Sequence, residues 1–392
     1  MLKTYKFRLY PTKTQDQLLR QYLGCARFVW NQLLQRTTEQ YQKDGTFLFK
    51  YDLINILPSL KKEEDKLFLK EPPSQVLQQK AMDLGDALST YLKNKETKGF
   101  PKFKSKHKDR SGIRIPQGFH FNGNRITLPK IGKIKFKKHR DIPNKINSCT
   151  IKLDASGVWF ICLLADDGIT PNHKIDETKS IGIDVGIKHF AVFSDGTYIE
   201  NNKFLIKTEE KLKKAQRKHS KKQKGSNNRN KHRILLAKRH KKVTNSRNDF
   251  LNKLVDSITK NHDIIGIEDL NITKMQQNGN ISKQIADVGW GLFYQKLQNK
   301  CTERGKLLIK TDKYAPSSKT CSCCGSVKPM PLNERQYICD NCGLSLDRDL
   351  NAAYNIRNWV LQKYQNTAGT AEINACGDMD LGRDTAQEAT CL

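Results

Sequence analysis

No apolar run of about 18 residues occurs in the sequence, which excludes a transmembrane helix. The N-terminus also lacks an apolar stretch of the signal-peptide kind: Met1 to Tyr10 alternates apolar and basic side chains. Without an export signal the chain is expected in the reducing cytosol, where disulfides do not persist. Acidic residues are scarce. Forty Asp and Glu stand against 70 Lys and Arg, a formal charge of +30 on 392 residues. A globular fold gains nothing from such an excess, which repels itself. Its usual use is to neutralise phosphates and release their counterions. An anionic membrane surface is the competing partner, but with no spanning segment nucleic acid is the expected one. Hydrophobic residues, at 37%, are also few. They are patterned nonetheless and suffice for cores in two or three domains.

Lys3 to Tyr10 reads as a strand that Pro11 ends. A helix follows, with Leu19, Tyr22, Ala26, Val29, Trp30 and Leu33 on one face. Ser74 to Leu92 is a second helical stretch, and Thr97 to Arg110 a basic loop whose Phe100 and Phe103 suit base contacts and a core equally. From about Gly112 to Leu164 the apolar period becomes two, with turns at Gly123-Asn124 and Ser156-Gly157. This predicts a β-rich, barrel-like unit, which the first strand joins. A new unit starts near Ser180 with the runs Ile181 to Ile183 and Phe190 to Phe193. Lys203 to Lys242 then holds 17 Lys and Arg against two Glu and reads as a basic helix too one-sided for salt-bridged decoration. An amphipathic stretch (Phe250 to Ile258), a strand (Ile264 to Ile267), a helix (Trp290 to Arg304), a strand (Lys306 to Thr311) and a helix (Leu350 to Gln362) complete it. Asn366 to Leu392 is small, polar and net acidic, and reads as a flexible tail.

Asp184 and Glu268 each end a short apolar run. Such runs form the buried centre of α/β sheets, and a carboxylate at their end stands where open α/β sheets bind ligands. Two from neighbouring strands could share the pair of divalent ions that phosphodiester hydrolysis uses. Hard oxygen ligands suit Mg²⁺ or Mn²⁺. Either acid could equally cap a turn or helix. Asp347 and Asp349, two apart, cannot both face one site from a single helix, and pattern does not choose between them. Five of the eleven cysteines fall between Cys321 and Cys342. Cys321 and Cys324, then 14 residues, then Cys339 and Cys342 make a zinc-ribbon spacing, closed by four thiolates and therefore structural. Cys323 is the spare thiol.

GIDVGIKHFAVFSDG (182–196), IGIEDLNI (265–272), YAPSSKTCSCCG (314–325) and CDNCGLSLDRDLNAAYNI (339–356) resemble the TnpB, or OrfB, proteins of insertion-sequence transposons. YKFRLYPTKTQ (5–15), GCARFVWN (24–31), PSQVLQQ (73–79) and GFPKFKSK (99–106) match too, so the resemblance covers nearly all but the tail. It implies an α/β RNase H-like (RuvC) nuclease core with an inserted zinc ribbon, and an N-terminal β-barrel-like (wedge) domain carrying a helical insertion. The implied domains are 1–10 with 111–175 (wedge), 11–110 (helical recognition), 176–315 with 345–365 (nuclease, including the basic helix 203–242), 316–344 (ribbon) and 366–392 (tail). The implied catalytic acids are Asp184, Glu268 and Asp349, which selects Asp349 over Asp347. Implied cofactors are two Mg²⁺ (or Mn²⁺) ions on these acids and one structural Zn²⁺ on Cys321, Cys324, Cys339 and Cys342. Implied partners are a guide RNA from the transposon's end and target double-stranded DNA, opened beside a short transposon-associated motif. The chain would then be cytoplasmic and nucleoid-associated. His189 stands where the family often has an acid. The basic helix, through Lys213, Lys214, Arg217 and Lys218, is expected on the backbone of guide or heteroduplex.

Two other classes use the same features: a nucleic-acid-binding regulator of transposition that does not cut, and a transposase that joins strands itself. The complete acid set favours cutting over the first. Against the second, no Tyr or Ser in these motifs looks like a covalent nucleophile.

Overall fold

The computed structural model describes residues 1–368, except 107, 108, 110, 111, 144, 172, 173, 205, 278–281 and 332. Two compact units meet in the chain between Ile169 and Thr170.

In the first unit, β1 (Leu2–Tyr10) leads through Pro11 into α1 (Lys13–Asp44). The Thr12 hydroxyl accepts from the Gln15 N–H, and the Gln15 side chain accepts from the Thr12 N–H, a reciprocal cap. Gly45, in the left-handed region, ends the helix. α2 (Lys50–Leu60) and α3 (Ser74–Lys93) pack beside it around Val29, Leu33, Leu53, Leu77 and Leu84. Phe100 joins this helical core, whereas Phe103 is exposed. β2 (Ile113–Ile115), β3 (His120–Asn122), β4 (Arg125–Leu128), β5 (Gly132–Phe136), β6 (Lys145–Leu153) and β7 (Trp159–Asp166) join β1 in an antiparallel sheet of order β2-β6-β7-β1-β5-β4-β3. Alternate side chains, Phe7, Leu9, Ile126, Phe136 and Ile161 among them, pack with Leu19, Tyr22 and Ala26 of α1. The first strand sits inside this sheet, as expected. No pairing joins β2 to β3 among the described residues, so the barrel-like unit is an open sheet there rather than a closed barrel.

The second unit begins with β8 (Ser180–Val185), β9 (His189–Phe193) and β10 (Tyr198–Glu200). The helices α4 (Glu209–Ser220) and α5 (Asn227–Asn261) follow, then β11 (Ile264–Ile267). After α6 (Ile272–Gln277), α7 (Ser282–Val288) and α8 (Trp290–Arg304) come β12 (Leu307–Lys310), the short pair β13 (Gln336–Ile338) and β14 (Ser345–Asp347), and α9 (Arg348–Ala368). The five-stranded sheet has order β10-β9-β8-β11-β12. β8, β11 and β12 run parallel, and the β9–β10 hairpin adds antiparallel. Ile181, Ile183, Ile265 and Ile267 pack with Leu251, Leu254 and Ile258 of α5 and with Phe293 and Leu297 of α8.

The structure also departs from two expectations about helices. The basic stretch 203–242 is not one helix. It breaks after Ser220, where Gly225 takes φ 86° and the Ser226 hydroxyl caps α5 by accepting from the Arg229 N–H at 3.1 Å. α5 then runs 35 residues, merging the second basic half with the amphipathic Phe250 to Ile258 stretch. The expected tail, 366–392, also starts inside a helix, because α9 continues to Ala368; the remainder lies outside the described residues.

Candidate functional site

Two neighbouring strands carry matching Gly-Ile-acid triplets near their ends: Gly182-Ile183-Asp184 on β8 and Gly266-Ile267-Glu268 on and just after β11. The two strands are parallel, with Gly182 opposite Gly266 and Ile183 opposite Ile267. The acids therefore leave one end of the sheet side by side. Strand side chains alternate in facing, so the isoleucines enter the α5–α8 core while each glycine shares the opposite face with its acid. α9 crosses that face in backbone contact. A Cβ at Gly182 would lie 2.1 Å from the Ala353 carbonyl oxygen and 2.5 Å from the Arg357 nitrogen, and one at Gly266 would lie 2.7 Å from a Val360 methyl. Asp349, Ala353, Ile356 and Val360 recur at helical spacing along one stripe. The stripe lying on the glycines thus begins with Asp349, and the glycines bring the third acid down to the strand ends. Gly182→Ala is expected to cost about 3 kcal/mol, the upper end of ordinary overpacking. Urea denaturation checks this, with Gly24→Ala as control because a Cβ there meets open space.

All three acids are half-buried. Burial raises the Asp184 carboxyl well above its ordinary pKa, and the charges of Glu268 and Asp349 raise it further against the pull of Arg348. Burial also raises Glu268, opposed by a hydrogen bond from the Ser317 hydroxyl. Asp347 has a different task. Its carboxylate accepts from the N–H groups of Asp349 (3.0 Å) and Leu350 (3.2 Å), capping α9. Asp349 instead faces Arg335, at 3.9 Å. Asp269 pairs with Lys310 at 2.9 Å, and the His189 ring with Glu200 at 3.1 Å.

Several contributors escape sequence pattern. Asn351 and Asn355, buried one turn apart on α9, donate to the carbonyls of Thr320 (2.7 and 2.6 Å) and Ser317 (2.8 Å). They fasten α9 to the strap that carries Ser317. The only sign in sequence is two asparagines four apart on an otherwise apolar helix face. The Tyr294 hydroxyl on α8 is buried with no hydrogen-bond partner among the described residues. Burial and the charges of Glu268 and Asp184 push its pKa up. Half-buried acids that repel one another, beside an orphan hydroxyl, form a hard-oxygen set suited to divalent cations. Their oxygens are not drawn into one tight cage: among the described residues, only the four cysteines bring ligand atoms all within 4.8 Å of one another.

Those cysteines are Cys321, Cys324, Cys339 and Cys342, with Sγ–Sγ distances of 3.6 Å for Cys321–Cys342 and Cys324–Cys339. A Zn–S bond of about 2.3 Å implies a tetrahedral edge of about 3.8 Å, so the set fits one closed zinc site. Gly325 and Gly343, at φ 76° and 73°, donate their N–H groups to the Cys321 and Cys339 carbonyls and turn each knuckle. Cys323 is exposed and outside the cluster.

Lys213, Lys214, Arg217 and Lys218 are exposed on α4, while Leu212 and Ala215 are buried. Lys213 is partly neutralised by Glu209 at 2.9 Å. With Arg217 and Lys221 it lines a surface groove of about 440 Å³.

A family model described as "Probable transposase" matches residues 163–279, and one described as "Cas12f1-like, TNB domain" matches 290–356. A "Helix-turn-helix domain" model matches 1–46, which here is β1 and the single helix α1. A protein of Streptomyces pristinaespiralis named "Putative RNA-guided DNA endonuclease" is 34% identical over 96% of this chain and 91% of its own length. "Putative RNA-guided DNA endonuclease InsQ" of Escherichia coli (strain K12) is 30% identical over 99% of this chain and 98% of its own. "TnpB-like protein L770" of Acanthamoeba polyphaga mimivirus is 26% identical over 92% and 75%. Among solved structures, a chain of the "Cas12f1-sgRNA-target DNA complex" superposes with TM-score 0.56 over 91% of this chain and 99% of that one. At 15% identity the likeness is one of fold.

Proposed function

This chain belongs to the TnpB, or OrfB, transposase family, and on that premise we propose that it is an RNA-guided DNA endonuclease cutting at Asp184, Glu268 and Asp349. The observation that carries this reading is the convergence of three acids, from segments far apart in sequence, on one end of one sheet. Two Mg²⁺ or Mn²⁺ ions held by these carboxylates would supply an activated water and stabilise the leaving oxygen. The chain's own side chains prepare that site. Ser317 fixes the Glu268 carboxylate, Asp347 fixes the first turn of α9, and Arg335 and Arg348 bring positive charge to where a phosphate would lie. The four thiolates would hold a structural zinc.

In this reading the open sheet of the first unit is the wedge (1–10 and 111–175), with α1 to α3 inserted as its recognition helices (11–110). The second unit is the RuvC-like nuclease (176–315 and 345–365), interrupted by the ribbon (316–344). The partners are a guide RNA from the transposon's end and duplex DNA beside a short adjacent motif, with sequence read by base pairing. No helix among the described residues is long and apolar enough to cross a membrane.

The test begins with sequencing the RNA that copurifies. A duplex matched to it should be cut only with a divalent ion, and cutting should move when the guide is changed. Cutting that ignores the guide removes the guided part, and tight binding without any cutting favours the regulator. The hairpin of α4 and α5 is assigned to guide or heteroduplex phosphates. Reversing Lys213, Lys214, Arg217 and Lys218 to Glu should weaken binding and flatten the slope of log affinity against log salt by about 3. An unchanged slope takes the hairpin out of the interface.

A further inference from the structure

β12 runs parallel to β11, so the turn that follows it lies at the acid end of the sheet. In that turn, Asp312 to Ala315, the Ala315 N–H donates to the Asp312 carbonyl at 3.1 Å. Tyr314 takes the third position with φ 70°. A turn with a left-handed third residue favours glycine or asparagine there, and a Cβ makes the conformation costly. Such strain persists only where the surroundings impose it. Here the Thr311 N–H donates to the Ile267 carbonyl at 2.9 Å on one side, and Ser317 holds Glu268 on the other.

The product of this strain is a tyrosine 86% exposed, with the Lys313 ammonium 5.4 Å from its ring centroid. Folding does not explain it, since the ring buries almost nothing and glycine would serve the turn better. Lys313 also lines a groove of about 580 Å³ with Asn271, Thr273, Gln276 and Leu292, starting at Asp269, the residue after Glu268. A flat ring beside a cation takes any nucleobase and its phosphate. Past Asp269, whose charge Lys310 offsets, the groove presents neutral amides and a hydroxyl over an apolar wall, a lining that suits the adjoining nucleotide.

We infer that Tyr314 and Lys313 form a stacking platform for one nucleobase of the DNA strand entering the carboxylate site, with the groove holding its neighbour. The identity of that strand rests on the nuclease reading above; the platform itself rests on the strained, exposed ring.

Wild type and Tyr314→Ala, each with its copurifying RNA, are given the matched duplex with single abasic positions moved along the cut strand. One abasic position near the cut should slow wild type about tenfold. Tyr314→Ala should slow cutting by the same factor, and the two together should slow it no further. Tyr314→Trp should cut like wild type. Tyr314→Gly should melt no lower than wild type yet cut as slowly as Tyr314→Ala. Additive losses, or wild-type rates in Tyr314→Ala, overturn the platform and leave the nuclease reading intact. If wild type does not cut at all, the nuclease reading falls and the platform is read by binding. Quenching of 2-aminopurine in a single-stranded DNA oligonucleotide should then be lost in Tyr314→Ala, and equal quenching in both overturns it. Stronger Tyr314-dependent quenching of the same label in RNA overturns the assignment to DNA.

Discussion

Asp184→Ala should lower cleavage on the order of 10³-fold or more, as removal of a group acting on the transition state does, while RNA and DNA binding stay near wild type. A second readout needs no substrate. The Asp184 carboxyl is raised by burial and by Glu268 and Asp349, so between its ordinary and its raised pKa the folded chain holds more protons than the unfolded one. Stability contributed by protonated Asp184 is therefore lost as pH rises through that window. On the proposed reading a divalent cation would replace the proton as counter-charge, with an affinity that rises as the acids ionise. Mg²⁺ should thus raise the melting temperature of wild type more at pH 8 than at pH 5, and barely move Asp184→Ala at either. Cleavage that survives in Asp184→Ala would sink the site assignment. Melting that ignores Mg²⁺ at both pH values would sink the metal part of it.

Removing the zinc that the four thiolates would hold is expected to have the second large effect. The ribbon's apolar centre consists of Cys321, Met330, Tyr337 and Cys339, with Leu344 against them. Its strands β13 and β14 have three residues each. So small a core does not fold unaided, and structural zinc sites contribute about 10 kcal/mol or more to folding. A chelator, or Cys339→Ser, should open residues 316–344 to protease. The loss should reach the acids as well, because Asn351 and Asn355 of α9 are hydrogen-bonded to carbonyls at the base of this segment, and Ser317 holds Glu268. Cleavage should fall with the ribbon, while the melting of the first unit stays unchanged. Full activity in protein shown by mass spectrometry to be zinc-free would refute this.

The parts of this fold legible in sequence are those carried by local period. β8, β11 and α8 follow from short apolar runs and a 3.6-residue repeat. What escaped has identifiable physical causes. The break between α4 and α5 is marked only by Gly225-Ser226 inside a run whose lysines dominate every other signal. α2 carries a short helical repeat, Leu53, Leu57 and Leu60, packed against the neighbouring helices, but Pro58 inside it reads in sequence as a helix breaker. The choice between Asp347 and Asp349 could not come from spacing, since the two differ in cap geometry rather than in local pattern. Gly182 and Gly266 look like ordinary strand residues until α9, some 170 and 90 positions later, is laid across them.

That last contact also sets an order in time. α9 is translated after both strands it covers and after the basic hairpin. A ribosome that has released the chain only as far as the ribbon has made a polypeptide with its basic hairpin and two acids, but with no third acid and no lid on the glycine face. On the proposed reading, a stalled or prematurely terminated product would hold nucleic acid without cutting it, and the host would meet an active nuclease only once α9 had emerged.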